Sequence, residues 1–201
     1  MILFFDTETT GLPKYKIHPG DPSQPGVLQL AAILSDDDGE IVDTYSTLVH
    51  IGSKPIHPMA FAAHGITSEK ANTEGIPPME ALVAFHSLTL DAEFLVCHNL
   101  DFDFKLIELL AHYANSLGAK EDEPLLVFSD ISELPYKCTM RSTIQYCALP
   151  FPSGRRGHKF PKLEELYFIL FNEKLEGSHD ALNDVMATHR CYFELKRREI
   201  L

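Results

Sequence analysis

Met1 to Phe5 is continuously apolar, the pattern of a strand buried on both faces. Val27 to Ser35 predicts a second strand and Glu40 to Val49 a third, joined by Asp36-Asp37-Asp38-Gly39, whose residues suit a solvated turn. Between the first two strands, Pro13 to Gly26 is rich in Pro and Gly and reads as an exposed loop. Short helices are expected from Pro55 to Asn72, around His64-Gly65, followed by a helix over Pro77 to Leu90 with Met79, Leu82, Val83 and His86 at helical spacing. Glu93 to Cys97 is a further apolar strand that hands over, at His98-Asn99, to the clearest helix of the chain. There Phe102, Leu106, Leu109, Leu110, Tyr113 and Leu117 fall on one face and Gly118 is placed to end it.

The polar, acidic stretch Glu121 to Pro135 reads as a connecting loop. A fifth strand is predicted near Tyr136 to Met140, then a short helix through Ile144 and a locally basic loop from Pro150 to Pro161. Two helices close the chain, Lys162 to Phe171 and about His179 to Arg198, the second with Ala181, Val185, Tyr192 and Leu195 toward the core. Early strands followed by alternating helices and strands predict a single α/β domain over residues 1–201 with a mixed sheet.

Composition adds limits to this picture. Hydrophobic residues make up 45% and charged residues 23% of the 201, near the averages for globular proteins, so a packed core needs no metal or disulfide to support it. Cys97, Cys138, Cys147 and Cys191 are far apart and form no CxxC pair, which argues against a structural zinc site or a secreted disulfide framework. The first residues lack the basic leader and long apolar run of a signal peptide, and no stretch approaches the ~20 apolar residues of a membrane span. A soluble, cytoplasmic protein with no membrane partner is expected. The net charge of −12 disfavours a protein that wraps duplex DNA, because such binders displace counterions with broad basic surfaces. It does not disfavour an enzyme that grips a few terminal nucleotides through cations held on carboxylates.

Three acidic elements are the candidate chemistry. Asp6 and Glu8 end the first strand, and residues two apart in a strand project from the same face, which suits a hard divalent cation with oxygen ligands. A lone acidic pair is weak evidence; the run Asp6-Thr7-Glu8-Thr9-Thr10-Gly11-Leu12 is more particular. Asp103 lies in the first turns of the central helix, within His98-Asn99-Leu100-Asp101-Phe102-Asp103, where Asn99 can cap the helix and Asp101 reads as a complement to the helix dipole. The third element, His179-Asp180-Ala181-Leu182-Asn183-Asp184, follows Gly177-Ser178 and opens the last helix, with His179 expected on a loop or as the first helical residue, free to move.

In order and spacing these elements resemble the motifs of the DEDDh (DnaQ-like) family of 3′–5′ exonucleases, the family of the proofreading ε subunit of bacterial DNA polymerase III. The resemblance runs from residue 6 to residue 184, and His179 with Asp184 points to the histidine branch of the family. His64-Gly65-Ile66-Thr67 also looks like a recurring family element. The resemblance implies a ribonuclease H-like α/β fold with a central mixed five-stranded sheet flanked by helices. It further implies two divalent cations, Mg²⁺ or Mn²⁺, which would relieve the repulsion between converging carboxylates. On that reading Asp6, Glu8, Asp103 and Asp184 are the metal ligands, with Glu8 on the side of the attacking water. His179 is the general base, a role suited to an imidazole near neutral pH. Nucleoside 5′-monophosphates would leave the 3′ end of single-stranded DNA or RNA.

By the same resemblance the segment Thr7, Thr9, Thr10, Gly11 and Leu12 lines the terminal nucleotide, Leu12 wedges against bases, and His64, Asn99 and Phe102 share the pocket. Arg155, Arg156, His158, Lys159 and Lys162 form the densest basic stretch; contact with strand phosphates and a merely solvated loop both fit it. Lys196, Arg197 and Arg198 read as a dipole complement at the end of the last helix. Rival readings are a catalytically silent nucleic-acid-binding module on the same fold, which a lost carboxylate or histidine would signal, and another metal phosphoesterase. DNA or RNA as substrate, and a free-standing nuclease or one partnered with a polymerase, stay open at this point.

Overall fold

The computed structural model describes residues 1–118 and 122–201. Its centre is a five-stranded sheet in the order β3-β2-β1-β4-β5, built from β1 (Ile2–Thr9), β2 (Val27–Ser35), β3 (Ile41–Leu48), β4 (Phe94–Cys97) and β5 (Tyr136–Cys138). β1 pairs antiparallel with β2, and β2 with β3, whereas β4 runs parallel to β1 and β5 parallel to β4. The sheet is therefore mixed, as expected. Each parallel step needs a crossover. Residues between β3 and β4 supply α1 (Pro58–His64), α2 (Ser68–Glu74) and α3 (Pro78–Thr89), and those between β4 and β5 supply α4 (Leu100–Ser116) and α5 (Glu123–Ser132). After β5 come α6 (Thr139–Ser142), α7 (Ile144–Cys147), α8 (Leu163–Phe171) and α9 (Ala181–Arg197).

Alternation along β1 divides the core in two. Leu3 and Phe5 pack with Phe85, Leu106, Leu110 and Ile131 on the face covered by α3, α4 and α5. Ile2 and Phe4 point the other way, against Val185 and Tyr192 of α9. Both clusters draw on strands that are apolar on each face, which is why β1 and β2 show no polar alternation. The turn between β2 and β3 forms as expected. Asp36 Oδ1 accepts the backbone N–H groups of Asp38, Gly39 and Glu40, and Gly39 takes φ +97°.

β1 carries Asp6 and Glu8 at its end, as expected, and runs one residue further to Thr9, which still pairs with Val27 of β2. Several expectations are corrected. Residues 123–132 of the expected loop are α5, whose Ile131 is buried beside α3 and α4; residue 121, at the start of that loop, lies outside the described residues. The inward face of α3 is Ala81, Leu82, Phe85 and Leu88, and Val83 is exposed, because Phe85 supplies the larger apolar group. Leu117 likewise lies outside the α4 core face, just past the last helical residue. The four cysteines are free thiols. Among the described residues no helix is long and apolar enough to cross a membrane.

Candidate active site

The site begins where the sheet opens. β4 accompanies β1 only from Ile2 to Phe4, then ends at Cys97. Past Phe4, one edge of β1 is free of a strand partner while the other stays bonded to β2. Asp6 and Glu8 occupy this freed stretch, and strand alternation turns both to the α9 side; Thr7 and Thr9 turn to the opposite side and are buried.

Asp103 arrives from that opposite side. The chain leaves β4 through Asn99, whose φ of +78° bends it sharply into α4. Asn99 makes no side-chain cap, contrary to expectation, because its left-handed backbone leaves the extended conformation that a capping residue normally adopts. One turn on, Asp103 is 2% exposed. Its Oδ1 accepts the Thr7 hydroxyl at 2.7 Å and the Thr7 backbone N–H at 3.2 Å, and the Cys97 thiol donates to Oδ2 at 3.7 Å. Asp101, two residues earlier, is exposed and pairs with Arg141. His98 is buried and is a staple, with ring nitrogens 2.9 Å from Thr139 Oγ1 and 3.0 Å from the Pro161 carbonyl. Burial pushes its pKa down to about 4, which keeps it neutral.

Asp184 and His179 complete the group from α9. His179 adopts φ +68°, uncommon for a non-glycine residue, just before the N-cap Asp180. Its backbone N–H donates to Asp184 Oδ2 at 3.0 Å. The imidazole is thus on a loop, as expected, but that loop is tied down. Asp180 caps the helix through the Asn183 N–H, and the Asn183 side chain donates to the Gly177 carbonyl at 3.1 Å. Ligand atoms of Glu8, His179 and Asp184 lie within 4.8 Å of one another, which brings the first and third sequence elements together.

Burial and crowding together disfavour the ionised forms of these carboxyls. Desolvation, then the charges of Asp103, Asp184 and Glu8, holds the Asp6 carboxyl well above the usual carboxylate range. Glu8 is pushed up to about 8, chiefly by burial and then by Asp184 and Asp103. Burial raises Asp103 to about 7 against the opposing hydrogen bonds from Thr7, and raises Asp184 against the His179 N–H. Asp184 Oδ1 is buried with no hydrogen-bond partner among the described residues. A carboxylate oxygen left bare among other carboxylates fits a hard divalent cation, which would satisfy it and offset the mutual repulsion.

These groups form the floor of a cavity of about 780 Å³. Gly11, Leu12, His57, Met59 and His64 also line it, as do Asn99, Phe102, Met140, Phe160 and Lys162. Of the residues expected at the substrate, Thr7, Thr9, Gly11, Leu12, His64, Asn99 and Phe102 line the cavity. Thr10 does not. It is 3% exposed, and its hydroxyl accepts the Gly26 N–H while its own N–H bonds to the Gly26 carbonyl, so it holds the loop behind the site. Leu12 and Met59 stand 79% and 78% exposed at the rim.

Sequence reasoning missed Gln29. Opposite Glu8 on β2, it is buried, donates to Asp180 Oδ2 at 3.1 Å and accepts the Ala181 N–H at 3.1 Å, fastening the start of α9 to the sheet. A polar residue within the otherwise apolar run Val27-Leu28-Gln29-Leu30-Ala31-Ala32 was the available signal.

The fold and site define a class, a mixed-sheet domain with a cage of carboxylates at the open edge of its central strand, between two helices on opposite faces of the sheet. A family model described as Exonuclease (RNase_T) matches residues 3–192. The chain belongs to that family, the DnaQ-like 3′–5′ exonucleases. No curated protein matches the sequence. Among solved structures, E. coli exonuclease I in complex with a dA16 oligonucleotide is similar at a TM-score of 0.73 and 21% identity, over 98% of this chain and 41% of that one. The zinc-bound form of the E. coli exonuclease I–single-stranded DNA complex gives 0.72 and 22%, over 98% and 40%. The chain thus spans about two-fifths of the length of these structures, and the likeness bears on its ribonuclease H-like fold.

Proposed function

We propose that residues 1–201 form one metal-dependent 3′–5′ exonuclease domain that hydrolyses the terminal phosphodiester of a single strand and releases nucleoside 5′-monophosphates. The observation that carries this reading is the convergence of Asp6, Glu8, Asp103 and Asp184, from β1, α4 and α9, beside an imidazole within 4.8 Å of Glu8 and Asp184. Single-stranded DNA bound to similar structures supports the choice of polymer, and a zinc-bound one supports a metal.

In this reading Asp6, whose carboxyl feels the charges of Asp103, Asp184 and Glu8, would help to hold both of two divalent cations, Mg²⁺ or Mn²⁺. Glu8 and Asp184 would hold the ion on the His179 side, and Asp103 the other. When bound, the cations supply an acidified water and charge stabilisation at the phosphate. His179 takes the proton from the attacking water; its backbone N–H, fixed on Asp184, sets where the ring stands. Leu12 and Met59, apolar and exposed at the rim, suit the faces of unpaired bases and give a paired end nothing to hydrogen-bond. His64, Asn99 and Phe102 complete the lining of the nucleotide pocket.

The test is product analysis with 5′-labelled DNA and RNA oligomers, each with chelator, Mg²⁺ or Mn²⁺. A metal-dependent ladder shortening from the 3′ end, with nucleoside 5′-monophosphates released and a circular single strand left uncut, is the expected result. Cleavage of the circle, or no cleavage with any metal, would overturn the proposal.

A further inference from the structure

The charge of the chain is divided unevenly along its length. From Leu134 to Leu163 there is no Asp or Glu, while Lys137, Arg141, Arg155, Arg156, Lys159 and Lys162 fall within it, in a protein whose net charge is −12. This is the segment that the fold places against the site. It passes from β5 through α6 and α7, and Met140, Phe160, Pro161 and Lys162 line the cavity.

The basic loop is built rather than loose. Residues 149 to 159 form a hairpin closed by a bridge between Pro150 and His158 and by the Lys159 N–H on the Leu149 carbonyl at 2.9 Å. Its bend is set by Gly154 and Gly157, at φ +73° and +99°. Two fastenings hold its returning arm. His98, just past the end of β4, reaches the Pro161 carbonyl, and Lys159 pairs with Glu165 of α8.

Most of the cations already have partners. Arg141 pairs with Asp101, Lys159 with Glu165 and Lys162 with Glu164, and Lys137 lies over the Phe94 ring at 4.9 Å. Arg155 and Arg156 are exposed and in no ion pair among the described residues; the Arg155 guanidinium rests 4.0 Å over the Phe151 ring, which orients it without neutralising it. Beside them Phe160 stands 54% exposed at the cavity wall. Exposed aromatics interleaved with free guanidinium groups are what a single-stranded polynucleotide meets on proteins that track it, with phosphates on the cations and bases on the rings.

We propose that this basic hairpin and the cavity edge it adjoins are a second binding site, a track for the strand upstream of its 3′ end, with Arg155 and Arg156 on backbone phosphates and Phe160 stacking the base nearest the cavity. The proposal rests on the exonuclease reading and deepens it. The track lets a strongly acidic protein hold a polyanion, since the repulsive charge lies elsewhere in the chain and the acid-free segment adjoins the site.

The double variant Arg155→Glu/Arg156→Glu, with Phe160→Ala alongside, tests it on two substrates: a dT oligomer long enough to cross the hairpin and the p-nitrophenyl ester of thymidine 5′-phosphate, which reaches only the cavity. Steady-state kinetics with Mg²⁺ or Mn²⁺ should show the oligomer KM raised by roughly 10-fold or more in the double variant, with its ester turnover at the parent rate, and the oligomer KM raised several-fold in Phe160→Ala. The slope of log binding against log salt should fall by about 0.7 for each phosphate that the variant no longer neutralises. An oligomer KM and salt slope equal to the parent's, with the ester still hydrolysed, would overturn the track and leave the exonuclease reading intact. If the parent hydrolyses neither substrate, the exonuclease reading itself fails. Loss of ester hydrolysis together with the oligomer's in the double variant would mean that the hairpin shapes the cavity, and would also overturn the proposal.

Discussion

The two helices that complete the site reach β1 from opposite faces of the sheet and hold their carboxylates in different ways. On the α4 side, Asp103 is sealed from solvent and its oxygens are engaged by the Thr7 hydroxyl, the Thr7 N–H and the Cys97 thiol. On the α9 side, Asp184 has one oxygen on the His179 N–H and one bare, and the imidazole beside it is exposed. The first half is finished before any ligand arrives; the second presents unsatisfied groups to whatever enters. A rigid carboxylate fixes where a cation can rest, and an exposed base can follow the water that the cation orients. The contrast predicts that damage to the shared strand has the largest effect, then loss of the exposed base, then a disturbance of the sealed half.

Asp6 lies between both halves, so Asp6→Asn should have the largest effect. Activity should drop at least ~10³-fold, on the scale of losing a preorganised charge-stabilising group. Addition of Mg²⁺ or Mn²⁺ should no longer raise Tm. The metal-free variant should nevertheless melt above the metal-free parent, because the substitution removes a carboxyl whose ionisation the cage opposes. Calorimetry with and without metal separates the two effects, and an unchanged metal-induced shift would remove Asp6 from the ligand set.

His179→Ala probes the open half alone. Turnover should fall by ~10²-fold or more with metal affinity nearly kept, the size expected for a lost general base. Titration calorimetry beside kinetics is the check; a large loss of metal affinity would make the imidazole a ligand, which its distance to Glu8 and Asp184 also permits. In the sealed half, Thr7→Val removes the 2.7 Å bond to Asp103 and retains the backbone N–H. About 1–3 kcal/mol of stability should be lost for a buried acceptor stripped of one donor, with activity down roughly 10-fold as Asp103 shifts. Equal stability in chemical denaturation would show that Cys97 and the backbone suffice to fix it.

How much of this was legible in the sequence follows from which forces act locally. The apolar runs of β1 and β2 and the face of α9 could be read because burial on both faces, or on one helical stripe, leaves a periodic signature. The acidic elements were legible as chemistry because their order and spacing are particular. What the sequence concealed depends on partners distant in the chain. Residues 123–132 are helical because Ile131 and its apolar neighbours find α3 and α4, although their flanks look like a polar linker. Thr10 lies in a run of residues expected at the substrate yet bonds to Gly26, and Asn99 uses its conformation for a turn and not for a cap. Gln29 is functional only through Asp180 and Ala181, 151 and 152 positions away, and no local pattern encodes that bond.

The smallest effect is also the one that reads the whole cage at once. Without metal, Glu8 is pushed up to about 8 and Asp103 to about 7, from ordinary values of 4.5 and 3.8. In the unfolded chain both ionise as pH passes about 4 to 5, whereas the folded protein keeps their protons until about pH 7 to 8. The folded state therefore binds more protons across this window, and its stability declines as pH rises through it. Because the carboxyls are coupled and only some ionise together, the loss from about pH 5.5 to 8 should be on the order of 2 kcal/mol, roughly 4–8 °C in Tm for a domain of this size. Divalent cations need the ionised carboxylates and compete with these protons, so metal affinity should increase over the same range and release protons on binding. Melting curves in chelator and in Mg²⁺ at each pH decide it: the gap between the two should widen as pH rises across this range. A chelator curve that stays level would mean that the crowding is relieved without a cation, by movement of the α9 half away from β1.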